Sequence, residues 1–223
     1  MQFHHHGYVS TDPRVRPAAG TGIGRSDDLP DEVDVLIVGT GPAGVLLAAQ
    51  MAEFSNLTTR VVERRSGRLV LGHADGIQAR SVETFQAFGF AERIIQEAYE
   101  ITAMNFWTPD PDNINNIIRT QRTDDATPQF SEFPHLIVNQ ARVADYFLEA
   151  AARAPGRITP DYGYEFVGLT VGEAAGEGDH PVEVTLRRTH GEFDEITGAY
   201  IDLDPTANVH ARAGDENRVI RAK

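Results

Sequence analysis

Gly39, Gly41 and Gly44 stand in Gly-x-Gly-x-x-Gly spacing, and Glu63 follows 19 residues after the last of them. Three glycines and an acid in that order suit the holding of a dinucleotide. Gly39 lets the chain turn tightly, Gly41 lets the backbone approach a pyrophosphate, and Gly44 lets a helix pack closely against a strand. The first turn of that helix offers free N–H groups and the positive end of its dipole to the phosphates. Pro42 and Ala43, inside the turn, count with the glycines as cofactor-binding residues. Glu63 supplies a carboxylate that accepts hydrogen bonds from the hydroxyls of an adenosine ribose, and it disfavours a 2′-phosphate, so NADP is not expected in this site. On these residues alone FAD and NAD both remain open.

The spacing means nothing unless the right elements surround it. Val33–Val38 is a largely apolar run bounded by Gly39, which suits a buried parallel strand. Pro42–Phe54 is apolar at helical spacing, with Val45, Leu46, Ala49 and Met51 among the residues to be buried. Arg60–Glu63 reads as the second strand and ends on the acid. Strand, glycine turn, helix, strand and acid are therefore all present and in sequence.

Further along, Arg64–Asp75 reads as a loop. Short helices follow at Arg80–Phe88, ended by Gly89, and at Ala91–Tyr99. Met104–Trp107 reads as a strand that Pro109 and Pro111 interrupt. Asp110–Ser131 is polar and loop-like, with a strand candidate at Asn116–Arg119. Leu136–Val138 is strand-like, and Asn139 caps an amphipathic helix over Gln140–Ala154 that carries Val143, Phe147 and Leu148 on one side. From Tyr162 the period becomes two, and Glu165–Val171, Val182–Arg188 and Asn217–Ala222 read as antiparallel strands. Ala174–His180 and Asp202–Asp215 read as flexible turns. The fold class expected is α/β, a Rossmann-like parallel sheet with an antiparallel β-meander. Residues 1–30 form an arm, and residues 31–223 form one dinucleotide-binding domain.

Composition narrows the function. The chain has 223 residues, 41% hydrophobic and 24% charged, and a net charge of −13. That balance argues against nucleic acid or an anionic membrane as partner, since both need basic surface. There are no cysteines, which excludes disulfides, thiolate metal sites and cysteine nucleophiles. His4, His5 and His6 lack the partners and spacing of a zinc site, so no metal is expected. No apolar leader opens the chain and no run approaches the ~18 apolar residues of a membrane span. A cytoplasmic protein is the default expectation.

Several segments carry a family resemblance. Gly39-Thr-Gly-Pro-Ala-Gly44, Glu63-Arg-Arg and Leu71-Gly-His-Ala-Asp-Gly-Ile-Gln-Ala-Arg80 resemble the flavin-dependent aromatic hydroxylases, the class A flavoprotein monooxygenases. The phenol 2-monooxygenase and 3-hydroxybenzoate 4-monooxygenase branch is the best match. The opening Met1-Gln-Phe-His4 and the segment Ser131-Glu-Phe-Pro-His-Leu-Ile-Val-Asn-Gln-Ala-Arg-Val143 look most like the 3-hydroxybenzoate enzymes. The resemblance covers essentially residues 1–170 and fades in the meander.

The resemblance implies FAD in the fingerprint, NADPH as a transient co-substrate without a Rossmann domain of its own, O2, and a small phenolic substrate. Its chemistry is oxygen insertion through a flavin C4a-hydroperoxide, with the protein positioning the flavin and excluding water. It also implies site residues. Arg64 and Arg80 sit where the family contacts the FAD phosphates or adenosine. Gln140 sits where a family glutamine contacts the ribityl or phosphate region. Asp75 sits where a family acid lies near the flavin and the substrate phenol, a catalytic as well as a substrate-binding place. His135 sits where the hydroxybenzoate enzymes bring a histidine toward substrate. Homodimers are common in the family. His73 departs from the usual glutamine. The family continues from a strand like Val219–Lys223 into a second flavin motif and a substrate domain. The expectation is therefore an N-terminal FAD-binding part, incomplete at its C-terminus, that holds FAD weakly and hydroxylates nothing alone. Two other readings stay open at this stage: another flavin oxidoreductase of the disulfide-reductase superfamily, and a stand-alone FAD- or NAD-binding module.

Overall fold

The computed structural model describes residues 26, 28–70, 72–125, 130–173, 176, 178–189, 191–193, 200–202 and 217–223. Along the chain run β1 (Glu32–Val33), β2 (Val35–Val38), α1 (Pro42–Met51), β3 (Thr59–Glu63), β4 (Gly76–Ile77), α2 (Ala79–Ala87), α3 (Ala91–Glu97) and β5 (Tyr99–Glu100). Then come β6 (Ala103–Pro109), β7 (Ile117–Asp124), β8 (Leu136–Ile137), α4 (Gln140–Arg153), β9 (Pro160–Tyr162), β10 (Tyr164–Val171), β11 (Val182–Arg188), β12 (Gly191–Phe193), β13 (Tyr200–Asp202) and β14 (Asn217–Ala222). The chain divides into two compact units, Met1–Gly72 with Val143–Lys223, and His73–Arg142.

In the first unit a parallel sheet has the order β2-β3-β9. Every residue of β3 is buried, because both of its faces are covered. Ile37 and Val61 are cross-strand partners and share a face. The start of α1 packs there, with Gly44 against the Ile37 side chain. Val62 points the other way, into a cluster with Leu29, Val33, Val184, Leu186, Ile220 and Ala222. That cluster belongs to the meander β14-β11-β10, antiparallel throughout, with β1 added in parallel on the β14 edge. Val61 and Val62 are fully buried, and burial of such a side chain stabilises by roughly 1.5–3 kcal/mol. Arg60, also buried, is met by both carboxylate oxygens of Asp161 on β9, at 2.8 and 2.7 Å, so the one cation of this strand is paired.

In the second unit β4 and β5 flank the two residues of β8, both antiparallel to it. Helices α2 and α3 meet through stacked Phe85 and Phe90, whose ring centroids are 5.2 Å apart. Arg142 at the start of α4 clasps Glu97 of α3 with two bonds, at 2.8 and 3.0 Å. Strands β6 and β7 pair as a two-stranded antiparallel ribbon.

The α/β class, the parallel sheet, the three meander strands and the Asn139 cap hold; the Asn139 side chain accepts the Ala141 N–H at 2.8 Å. Other expectations need correction. Val33–Val38 is two strands, because Asp34 leaves the ladder to exchange bonds with Thr58, which sends β1 to the meander and β2 to the parallel sheet. The strand candidate Asn116–Arg119 runs instead over Ile117–Asp124. The helix expected to reach Phe54 stops at Met51, and the one expected to reach Tyr99 stops at Glu97, because Tyr99 pairs with Ile137. Strands β4, β9, β12 and β13 were not anticipated. The tips of both meander turns, most of the N-terminal arm and the three early histidines lie outside the described residues, but Leu29 of that arm is buried in the core. Among the described residues no helix is long and apolar enough to cross a membrane.

Candidate cofactor site

Between β2 and α1 the chain must reverse within a few residues. Gly39 does this at φ +94°, a conformation that side chains resist. Its N–H is held by the Val62 carbonyl at 2.7 Å. A Cβ on Gly44 would lie 2.0 Å from the Gly39 carbonyl oxygen, so only glycine lets the helix start this close to the strand. Gly41 differs from both. Its φ is −68°, and a Cβ there would meet nothing within 4 Å. The space beside it is open to a ligand. Gly41 caps α1 without a side-chain bond, Pro42 takes the first helical position, and no acid sits in the first turn. Pro42 and Ala43 are exposed. The turn is thus shaped and open, and it ends on a helix terminus whose first turn carries no acid, which fits a bound pyrophosphate.

Glu63 lies beside this turn at the end of β3, only 4% exposed. Its Oε2 accepts both the N–H and the hydroxyl of Thr40, each at 2.8 Å. Its Oε1 accepts the Arg65 N–H at 3.0 Å. Burial works to raise its pKa, but the bonds from Arg65 and Thr40 and the nearby Arg65 charge outweigh it, so the carboxyl ionises below its ordinary range. Arg65 brings a guanidinium nitrogen to 3.6 Å from Oε2, and that Nη1 is buried without a hydrogen-bond partner. Arg64 is exposed, and its carbonyl takes the Thr189 hydroxyl at 2.6 Å. Sequence reasoning selected Arg64 and missed Thr40 and Arg65. A hydroxyl residue between two fingerprint glycines was the available signal for Thr40. For two adjacent arginines past a strand end there was none.

The second unit holds the remaining expected site residues. Asp75 is exposed and its carbonyl accepts the Val138 N–H at 2.8 Å. The Gln140 side-chain oxygen accepts the His73 N–H, also at 2.8 Å. His135 is buried, with Nδ1 on the Asp125 carboxylate and Nε2 3.3 Å from the Gln78 amide nitrogen. A Cβ on Gly76 would lie 3.8 Å from His135 Nε2, so Gly76 and His135 share a face of the small sheet. Arg80 is on α2, its side chain 79% exposed and paired with Glu83 at 2.7 Å. Among the described residues no cluster of three or more His, Asp or Glu could hold a metal ion.

The model of one protein family, described as "FAD binding domain", matches residues 32–201. The chain belongs to that family. It is a domain of the flavin-dependent aromatic-hydroxylase kind. Over 205 residues it is 41% identical to a 3-hydroxybenzoate 4-monooxygenase of Comamonas testosteroni, a match that takes in 90% of this chain and 32% of the relative. It is 38% identical over 158 residues to the FAD-dependent monooxygenase terD of Aspergillus terreus, covering 70% of this chain and 25% of that one. The chain thus spans about a third or less of the curated relatives it matches. Among solved structures, the flavin-dependent monooxygenase PieE, in complex with FAD and substrate, superposes with a TM-score of 0.58 at 21% identity. That match covers 87% of this chain and 30% of the other and shows a common fold.

For a member of the FAD binding domain family the first unit has coherent chemistry. Open space lies beside Gly41 at the start of α1, and the Gly39 and Gly44 geometry holds turn and helix in register. Glu63 is bonded to the turn through Thr40, with one lone pair of Oε1 left after the Arg65 bond.

Proposed function

We propose that this chain is the FAD-binding part of a flavin monooxygenase that hydroxylates a small phenol, 3-hydroxybenzoate or phenol itself, using O2 and NADPH. The observation that carries the reading is the shaped, open turn Gly39–Gly44 in a chain 41% identical to a 3-hydroxybenzoate 4-monooxygenase. FAD, when bound, supplies the oxygen chemistry: one atom of O2 enters the ring, the other leaves as water, and NADPH provides the two electrons.

The chain's own residues bind and orient. Gly39, Gly41, Pro42, Ala43 and Gly44 receive the diphosphate, and Glu63, held to the turn by Thr40 and Arg65, offers the remaining lone pair of Oε1 to the adenosine ribose. Arg64 and Arg80, both exposed, supply positive charge to the phosphates or adenosine. Gln140 holds the Asp75 turn through the His73 N–H and has its amide N–H groups left for the ribityl chain. Asp75 accepts the hydrogen bond of the phenol hydroxyl and so favours the more nucleophilic ring. His135, occupied on both ring nitrogens, acts on the substrate region through the strand it anchors.

The test uses the protein as its gene encodes it. Purified with FAD, it is given NADPH and either 3-hydroxybenzoate or phenol under isotopically heavy O2, and the products are identified by mass. The expected result is one heavy oxygen per product ring and one NADPH consumed per product. Bound flavin that oxidises NADPH but puts no heavy oxygen into either ring would overturn the proposal.

A further inference from the structure

We propose that Thr40 is a positioning residue for the dinucleotide turn and acts through Glu63. The inference rests on the FAD-binding reading of that turn. The Gly-x-Gly-x-x-Gly spacing sets no residue type at the position between Gly39 and Gly41. Here it carries a hydroxyl, it is 2% exposed, and both of its polar hydrogens end on one oxygen of Glu63.

Two donors from one residue on one acceptor fix more than a distance. The backbone bond sets the plane of the Gly39–Thr40 peptide, pointing its N–H inward and away from any ligand. The hydroxyl bond sets the side chain and closes the second lone pair of Oε2. The phosphates are therefore left to the groups beyond Thr40, at Gly41 and the start of α1, where a Cβ on Gly41 finds open space. Glu63 is left with a single lone pair on Oε1, since Arg65 N–H takes the other. It contributes to dinucleotide binding mainly by holding the turn in its binding shape, and meets the ribose through one bond at most. The N–H groups of Arg65 and Thr40 and the Thr40 hydroxyl keep the buried carboxylate charged, and the Arg65 guanidinium, 3.6 Å from Oε2, adds the least.

A hydrogen bond to a charged acceptor is strong enough that its loss moves an equilibrium by about tenfold to a hundredfold. If the turn then spends most of its time in other shapes, the apparent affinity falls by the fraction that remains competent. Thr40→Val, Thr40→Ala and Thr40→Ser are compared with the unaltered full-length protein. Flavin fluorescence reads FAD binding, and calorimetry reads binding of ADP, the half of the cofactor that the turn would hold. Thr40→Val removes the hydroxyl at constant shape, Thr40→Ala removes it without a buried methyl to misfit, and Thr40→Ser keeps it.

The expected result is a rise of about tenfold or more in both dissociation constants for the valine and alanine variants, with the serine variant within about threefold of the unaltered protein. A purely structural Thr40 would lower the thermal midpoint of the apo protein and leave both affinities, measured well below it, unchanged. Unchanged affinities in Thr40→Val or Thr40→Ala, or a serine variant as weak as they are, overturn the proposal. An unaltered protein that binds neither FAD nor ADP overturns the FAD-binding reading itself and the proposal with it.

Discussion

Replace Gly44 with alanine and the new Cβ meets the Gly39 carbonyl oxygen at 2.0 Å and the carbonyl carbon at 3.1 Å. Both obstacles are backbone, held by the bond from Gly39 N–H to Val62, so no side chain can swing aside. To reach ordinary contact at about 3.4 Å the helix must move off the strand by about 1.4 Å. The Ile37 side chain, 3.6 Å from the same methyl position, then loses its packing against α1. Overfilling a packed site costs about 1–3 kcal/mol, and rigid backbone on the receiving side puts this case near the top of that range. For a chain of this size, ~3 kcal/mol corresponds to a fall in thermal midpoint of roughly 6–12 °C.

Gly41→Ala is the same chemical change three residues earlier and should behave in the opposite way. At φ −68° any residue is comfortable, and the methyl enters open space. The apo protein should keep its stability within about 0.5 kcal/mol. The methyl does occupy the space assigned to the diphosphate, and a misfit of about 1–3 kcal/mol there weakens FAD roughly tenfold to a hundredfold. Urea unfolding of the two apo variants, paired with flavin titration of both, separates the effects. A Gly44→Ala protein that unfolds with the wild type, or a Gly41→Ala protein that binds FAD as well as the wild type, would refute the reasoning from the turn geometry.

Glu63 and His135 give two further tests. The Glu63 carboxyl ionises below its ordinary range in the folded protein. Its contribution is therefore fully present above the unfolded pKa and is lost as pH falls through the folded one. The stability gap between wild type and Glu63→Gln should be widest near neutral pH and close in acid; a gap independent of pH would contradict the charged lock. His135→Leu leaves the Asp125 carboxylate and the Gln78 amide without their shared partner. A loss of about 1–3 kcal/mol follows from stranding the half-buried Asp125 carboxylate, the exposed Gln78 amide being free to bond water, and a thermal midpoint equal to wild type would show that His135 is not the anchor of its strand.

What the sequence disclosed was local. Strand, glycine turn, helix, strand and acid lie within 31 consecutive residues, Val33 to Glu63, and each part is marked by residue types that few other conformations tolerate. Strands β11 and β14 showed themselves by alternation, because one face packs on Val62 and the other meets water. The failures share a cause: the deciding partner is remote or absent. Asp34 reads as one polar residue in an apolar run until Thr58, 24 residues on, is seen exchanging bonds with it. Strand β9 is three residues long, opens on Pro160, and is recognisable only through its pairing with β3. Strand β7 is exposed along its whole length, so burial imposes no alternation for a reader to find.

The same reasoning bears on the fingerprint acid. Spacing places Glu63 correctly but is silent on what the carboxylate touches, because a strand-end acid can face outward to a ribose or inward to the turn that precedes it. Here the inward face is taken twice by Thr40 and once by Arg65. An acid held by three donors and 4% exposed is costly to turn outward, since doing so would break charge-assisted bonds and leave the Thr40 N–H and hydroxyl buried without an acceptor. The dinucleotide must then be received by a turn that is already set, and little ordering cost remains at the moment of binding.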